Sequence, residues 1–246
     1  MFRFKRFTIE QDLCAMKVGT DGVLVGAWAS LPSAFGSSPL AGEQCSRMAG
    51  ELCSRILDVG TGTGVVALML AQRYPEARVT AIDVAEGAVR QAQQNAGNSP
   101  FADRVEVLHG MVQALAQQAD QQGVYDAVVS NPPFFIDSLN APDRQRNVAR
   151  HAETLTYAKL MEAAWRLLSN EGELSVVVPF DYRQRMEDEA TFRGFFQSRV
   201  CAVRTVHGKP AKRFLLAFRK HPCERVFEVM TLGDETYKQL TQDFYL

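Results

Sequence analysis

The run Ile56-Leu57-Asp58-Val59 passes directly into Gly60-Thr61-Gly62-Thr63-Gly64. A short apolar run bounded by a turn reads as a buried strand. Glycines at alternate positions after it, lacking Cβ atoms, let the backbone turn sharply and approach a ligand closely. In α/β sheets ligands bind beyond the carboxyl ends of strands, where this turn falls. The plain alternative is a tight strand-to-helix turn with no ligand. Val65 stands where a dinucleotide GxGxxG pattern needs Gly or Ala, which weakens a nicotinamide reading. No Gly-Lys-Ser/Thr follows, which excludes a P-loop.

Around this turn, strand and helix signals alternate. VVALMLAQRY (65–74) reads as a helix, VTAID (79–83) as a strand, and AEGAVRQAQQNAGN (85–98) as a helix stopped by Gly97-Asn98. RVEVLHG (104–110) is strand-like, MVQALAQQA (111–119) helical, and YDAVVSNPP (125–133) a strand ending in a double proline. The helix of 155–170, the strand ELSVVVP (173–179), a charged helix near 181–197, and the strands VCAVRTV and RFLLAFR complete the series. Strands separated by helices of this length imply βαβ units. The expected class is α/β, a doubly wound, mostly parallel sheet, with the last two strands forming an antiparallel hairpin at its edge.

The 246 residues suit a single globular domain, and a hydrophobic fraction of 46% argues against long disorder. The longest apolar runs are too short to cross a bilayer, and MFRFKRFTIE lacks the apolar core of a secretory signal. Five scattered cysteines without a CxxC pair suggest neither a disulfide framework nor a zinc site, so no metal and a cytoplasmic location are expected. Net charge is −1. Between Arg199 and Arg225, however, eight cations stand against Glu224 alone, and Arg3, Lys5 and Arg6 add to them. Such a cluster either neutralises phosphates or solvates an outward-facing hairpin.

Asp83 closes the second core strand, in register with the glycine turn. A carboxylate there can accept from both hydroxyls of a ribose, where a lone Asp would more often cap a helix. Asn131-Pro132-Pro133-Phe134 ends a further strand on the same rim. The prolines offer no N–H and hold the chain out of helix. The Asn oxygen and the Pro132 carbonyl can then accept from one amino group, while Phe134 offers a face to a planar base. The competing reading is a strand-ending turn with Phe134 in the core.

Taken together, DVGTGTG, AIDVA and NPPF resemble the class I S-adenosylmethionine-dependent amino-methyltransferases. The likeness extends over DLCAMKVGTDGVLVGAWA, SNPPFF, RFLLAF and the terminal LTQDFYL, which are similar to the bacterial tRNA-valine (adenine-37-N6) methyltransferases. The resemblance implies a seven-stranded sheet, S-adenosylmethionine as cofactor, tRNA as partner and an adenine N6 as acceptor. It implies that Asp58, Gly60, Gly62 and Gly64 line the cofactor, that Asp83 holds its ribose and that Val84 packs on its adenine. Asn131 and Pro132 would grip the acceptor nitrogen, with Phe134 stacked on the base, and Thr20 and Asp21 would lie beside the cofactor. The chain would divide into a preamble (1–30) packed on that site, a flexible connector (31–50) and the methyltransferase domain (51–246).

Two departures stand out. Met111 occupies the position of an acidic residue that usually reads the cofactor's adenine, and NPPF replaces NPPY. NPPF also occurs in guanine-N2 methyltransferases of ribosomal RNA, and glutamine-N5 methyltransferases of proteins share the motif but carry a helical domain not evident here. A catalytically silent cofactor- or RNA-binding module is the non-enzymatic alternative. His109, His151, His207 and His221 need no catalytic role, while Arg144, Arg146 and Arg150 after the motif could meet phosphates.

Overall fold

The protein is described here as a computed structural model covering residues 1–32, 53–134 and 155–245. Most of the expected connector, together with Arg144, Arg146, Arg150 and His151, lies outside the described residues.

The elements in chain order are β1 (Phe2–Arg3), β2 (Thr8–Ile9), α1 (Thr20–Trp28), β3 (Arg55–Val59), α2 (Val65–Arg73), β4 (Arg78–Asp83), α3 (Glu86–Gly97) and β5 (Val105–His109). There follow α4 (Val112–Leu115), β6 (Tyr125–Ser130), α5 (Tyr157–Leu167), β7 (Leu168–Pro179), α6 (Arg183–Arg193), β8 (Phe196–Arg204), β9 (Arg213–Arg219), β10 (Val226–Thr231) and α7 (Glu235–Thr241). Eight strands form one sheet in the order β10-β8-β9-β7-β6-β3-β4-β5. Within it β9 alone runs against its neighbours β7 and β8. The central strands read as continuous apolar runs because helices cover both faces: Ile56, Leu57, Val128, Val129, Val176 and Val177 are all inaccessible to solvent.

The α/β class and the mostly parallel sheet are as expected, with three differences. The β8–β9 hairpin lies inside the sheet rather than at its edge, because β10 adds in parallel to β8 as an eighth strand. The helix at 111–119 shortens to Val112–Leu115. KVGTDG, turn-like by its two glycines, opens a helix instead, since α1 begins at Thr20.

The preamble is built into the fold. α1 is buried from Gly22 to Trp28, as its apolar character on every side requires. It lies so close to α2 that a Cβ on Gly26 would stand 3.0 Å from the Met69 sulfur and 3.2 Å from its Cβ. At its far end, the Trp28 ring lies under the Arg199 guanidinium at 3.9 Å and its Nε1 donates to Glu228 Oε2 at 2.8 Å. The buried Glu173 carboxylate accepts from Ser30 Oγ (2.5 Å), Ser198 Oγ (3.0 Å) and Arg219 Nε (3.0 Å). Pairing of this kind is what a charge removed from water requires. The chain ends also meet, with Lys5 N donating to Phe244 O at 2.9 Å.

Candidate active site

The site opens at the carboxyl ends of β3, β4 and β6, where the strand order lets adjacent loops part. Gly60, Gly62 and Gly64 have φ of +73°, +56° and +83°, a region that penalises any side chain with a Cβ. This conformation folds the loop back so that Gly60 N and Thr61 N both donate to Ile82 O of β4, at 2.9 and 3.2 Å. The Asp83 carboxylate is anchored by two backbone donors, Gly62 N to Oδ2 and Ala85 N to Oδ1, each at 2.9 Å. The glycine loop and Asp83 therefore form one rigid unit.

A cavity of about 900 Å³ lies over this unit, at the upper end of the usual range for small-molecule sites. Its walls include Thr20, Asp21, Asp58, Gly60, Gly62, Asp83, Val84, Asn131 and Phe134, all expected from the sequence. Two expected residues do not line it. Gly64 packs instead against α3, where a Cβ would meet Ala92 Cβ at 3.3 Å. Pro132 is buried behind the wall, and Pro133 faces the cavity in its place. Met111 is exposed and also absent from the lining, whereas Gln113, two residues on, is part of it.

Asp58 is 1% exposed and accepts from Thr61 Oγ1 (2.6 Å) and Ala67 N (3.1 Å) through the same oxygen. Burial pushes its carboxyl up to about 7, the two hydrogen bonds opposing that rise and the nearby Asp83 adding to it. Asn131 is fixed by its strand, because the preceding Ser130 donates its hydroxyl to Val59 O at 2.8 Å and so ties β6 to β3. The Asn131 side-chain oxygen is buried and has no hydrogen-bond partner among the described residues. An unpaired buried acceptor is costly, and a ligand donor would relieve it. Phe134 is half-buried on the cavity wall, with the Tyr182 ring 6.3 Å away at 29°.

The preamble expected against the site supplies a wall, and two further contributors, Arg213 and Tyr182, were not legible beforehand. Residues 13–19 form one wall, including buried Cys14, whose thiol burial pushes up. This segment is held by side chains of α3: Leu13 N donates to Gln91 Oε1 (3.0 Å) and Glu10 N to Asn95 Oδ1 (2.9 Å). Arg213, from the start of β9, reaches the cavity and pairs with Asp21 at 2.8 Å. Tyr182 comes from the turn after β7. Each is brought in by long-range pairing that no local pattern announces.

Residues 44–199 match the model of the methyltransferase small domain family. The chain is 42% identical to the tRNA1(Val) (adenine(37)-N6)-methyltransferase of Bacteroides thetaiotaomicron, covering 100% of this chain and 97% of that protein. It is 45% identical to the enzyme of the same name from Porphyromonas gingivalis, covering 100% and 94%. Among solved structures, a predicted O-methyltransferase from Agrobacterium tumefaciens superposes with a TM-score of 0.64 at 17% identity, over 91% of this chain and 96% of that one. That last likeness is one of fold. The full-length identities and the matched domain place this chain in the family of tRNA1(Val) (adenine(37)-N6)-methyltransferases, enzymes with the methyltransferase small domain.

Proposed function

We propose that the protein transfers a methyl group from S-adenosylmethionine to N6 of an adenine in tRNA, in the cytoplasm, with the anticodon-loop adenine named for its relatives as the target. The observation that carries this reading is the buried Asn131 oxygen, without a hydrogen-bond partner among the described residues, in the same cavity lining as Phe134. An acceptor in want of a donor and an aromatic face together suit an exocyclic amino group on a planar base.

The cavity fits the cofactor. Asp83, aimed by Gly62 N and Ala85 N, has lone pairs left for a ribose diol. The glycine loop admits close approach, Val84 offers an exposed apolar surface for a ring, and the buried Asp58 carboxyl would be drawn into its ionised form by an adjoining methionine ammonium and pair with it. With Met111 off the cavity wall, the Gln113 amide, on α4 and lining the cavity, would read the cofactor's adenine. When bound, S-adenosylmethionine supplies an electrophilic methyl group.

The residues of the chain do the rest. An adenine amino group is a weak nucleophile because its lone pair is delocalised into the ring. Asn131 Oδ1 would orient that nitrogen and favour the positive charge that develops on it. Phe134, backed by Tyr182, would hold the base plane and so supply orientation. The surplus proton leaves after transfer, so no strong base is needed.

The test is single-turnover methylation of unmodified tRNA. Asn131→Ala is expected to lower the rate by roughly 10²–10³, the cost of one preorganised contact to developing charge, with S-adenosylmethionine affinity unchanged. A wild-type rate in that variant would remove Asn131 from the chemistry. Mass spectrometry of tRNA nucleosides from a deletion strain, where N6-methyladenosine should be lost and N2-methylguanosine kept, identifies the acceptor.

A further inference from the structure

We propose that Phe180 is a stacking platform for an unpaired nucleotide adjacent to the methylated adenine, with Lys209 and Lys212 meeting the neighbouring phosphates; this rests on the RNA-methylating reading above. Phe180 opens the short helical turn Phe180–Tyr182 that follows β7, the strand paired with β6, whose end leads into Asn131. Its position on the rim is fixed. Phe180 N donates to Lys212 O at 3.0 Å, which binds the turn to the base of the β8–β9 hairpin. Its ring leans on Phe214 with centroids 6.2 Å apart, and Phe214 is itself buried beneath the Arg183 guanidinium at 4.3 Å.

Phe180 nonetheless stays 56% exposed. An aromatic side chain fixed from below and bare above gains nothing for the fold from its outer surface. Two residues along, Tyr182 carries the aromatic surface to Phe134 in the cavity wall. The described hairpin tip presents Lys209 and Lys212 to solvent, and Asp181 is the acid of the Phe180–Tyr182 turn. Aromatic faces that hold splayed bases, flanked by cations that hold their phosphates, are how single-stranded RNA loops are bound. An anticodon-type loop presents such unpaired neighbours on either side of its target.

The experiment compares wild type, Phe180→Ala and Phe180→Trp for tRNA affinity, single-turnover rate and S-adenosylmethionine affinity. A second arm uses loop RNAs carrying 2-aminopurine on either side of the target adenine. Phe180→Ala should weaken RNA binding by about 5- to 150-fold, the worth of one stacked base. The saturating rate and the cofactor affinity should hold, and Phe180→Trp should restore binding. Wild type should quench one of the two 2-aminopurines and Phe180→Ala should leave it bright. Wild-type RNA affinity in Phe180→Ala, or a loss that Phe180→Trp does not restore, overturns the proposal. If wild type itself neither binds nor methylates tRNA, the parent reading falls and takes this one with it.

Discussion

Asp58 occupies a place that is hostile to a negative charge. It is buried at the end of β3, and its carboxyl is raised to about 7 although Thr61 and Ala67 both donate to it. An unfolded Asp ionises near 3.9, so between roughly pH 4 and 7 the unfolded chain gives up this proton more readily than the folded one. The stability that the protonated carboxyl contributes is therefore present below pH 4 and drains away as pH rises through 7. Asp58→Asn removes that dependence. Relative to wild type, the variant should gain stability between pH 4.5 and pH 8 by an amount on the order of, and at most, about 4 kcal/mol, measured by urea unfolding at both pH values. A gap that does not move with pH would mean Asp58 ionises normally. Its cofactor affinity should fall at the same time, because a methionine ammonium would lose its anionic partner. The residues of this unit were readable beforehand because the turn is local: three glycines that only a left-handed backbone would select, and a carboxylate in register with them. What spacing alone could not separate was which glycine faces the cavity and which faces a helix, since Gly64 is chosen by its contact with Ala92.

At the level of elements, six of the eight cations from Arg199 to Arg225 fall into two groups. Arg199 lies over Trp28 and beside Glu173, Arg219 donates to Glu173, Arg213 pairs with Asp21, and Lys220 Nζ donates to Leu168 O at 2.5 Å. These hold strands and walls together. Lys209 and Lys212, at the turn between β8 and β9, remain in solvent. Charge counting along the sequence could not distinguish the groups, because the partners Asp21, Trp28 and Glu173 are far away in the chain. Replacing Lys209 and Lys212 by Ala should flatten the dependence of log affinity for tRNA on log salt by about 1.4 to 1.8, two phosphate contacts' worth. Cofactor binding should hold in that variant. Arg213→Ala should do the reverse, weakening S-adenosylmethionine while leaving the salt slope nearly intact. Titrations at several salt concentrations and calorimetry decide both, and an unchanged slope in the double lysine variant would make those cations mere surface.

Across the whole molecule, the alternating pattern of strands and helices was enough to predict the central parallel sheet, because each βαβ unit is written in consecutive residues. The eighth strand was not predicted: β10 begins with Val226-Phe227, exposed at the sheet edge, and lacks the buried alternation that marks a strand. The closure of the two chain ends was equally hidden. Phe4 stacks on Phe7 at 4.6 Å and on Tyr245 at 6.1 Å, and Phe244, 1% exposed, offers its carbonyl to Lys5 N. Phe244→Ala should destabilise the fold by about 3–5 kcal/mol, read from denaturant unfolding, while a cost below 1 kcal/mol would show the carboxyl end to be dispensable. The cavity, too, is closed by parts that are distant in the sequence. The cavity takes one wall from residues 13–22, its floor from the glycine loop and a buttress from Arg213, so its parts are separated by nearly the length of the polypeptide. Contacts of such sequence separation form late, after the loop-closure entropy has been met. A chain still being translated, with β9 inside the ribosome, thus has no finished pocket for a methyl donor.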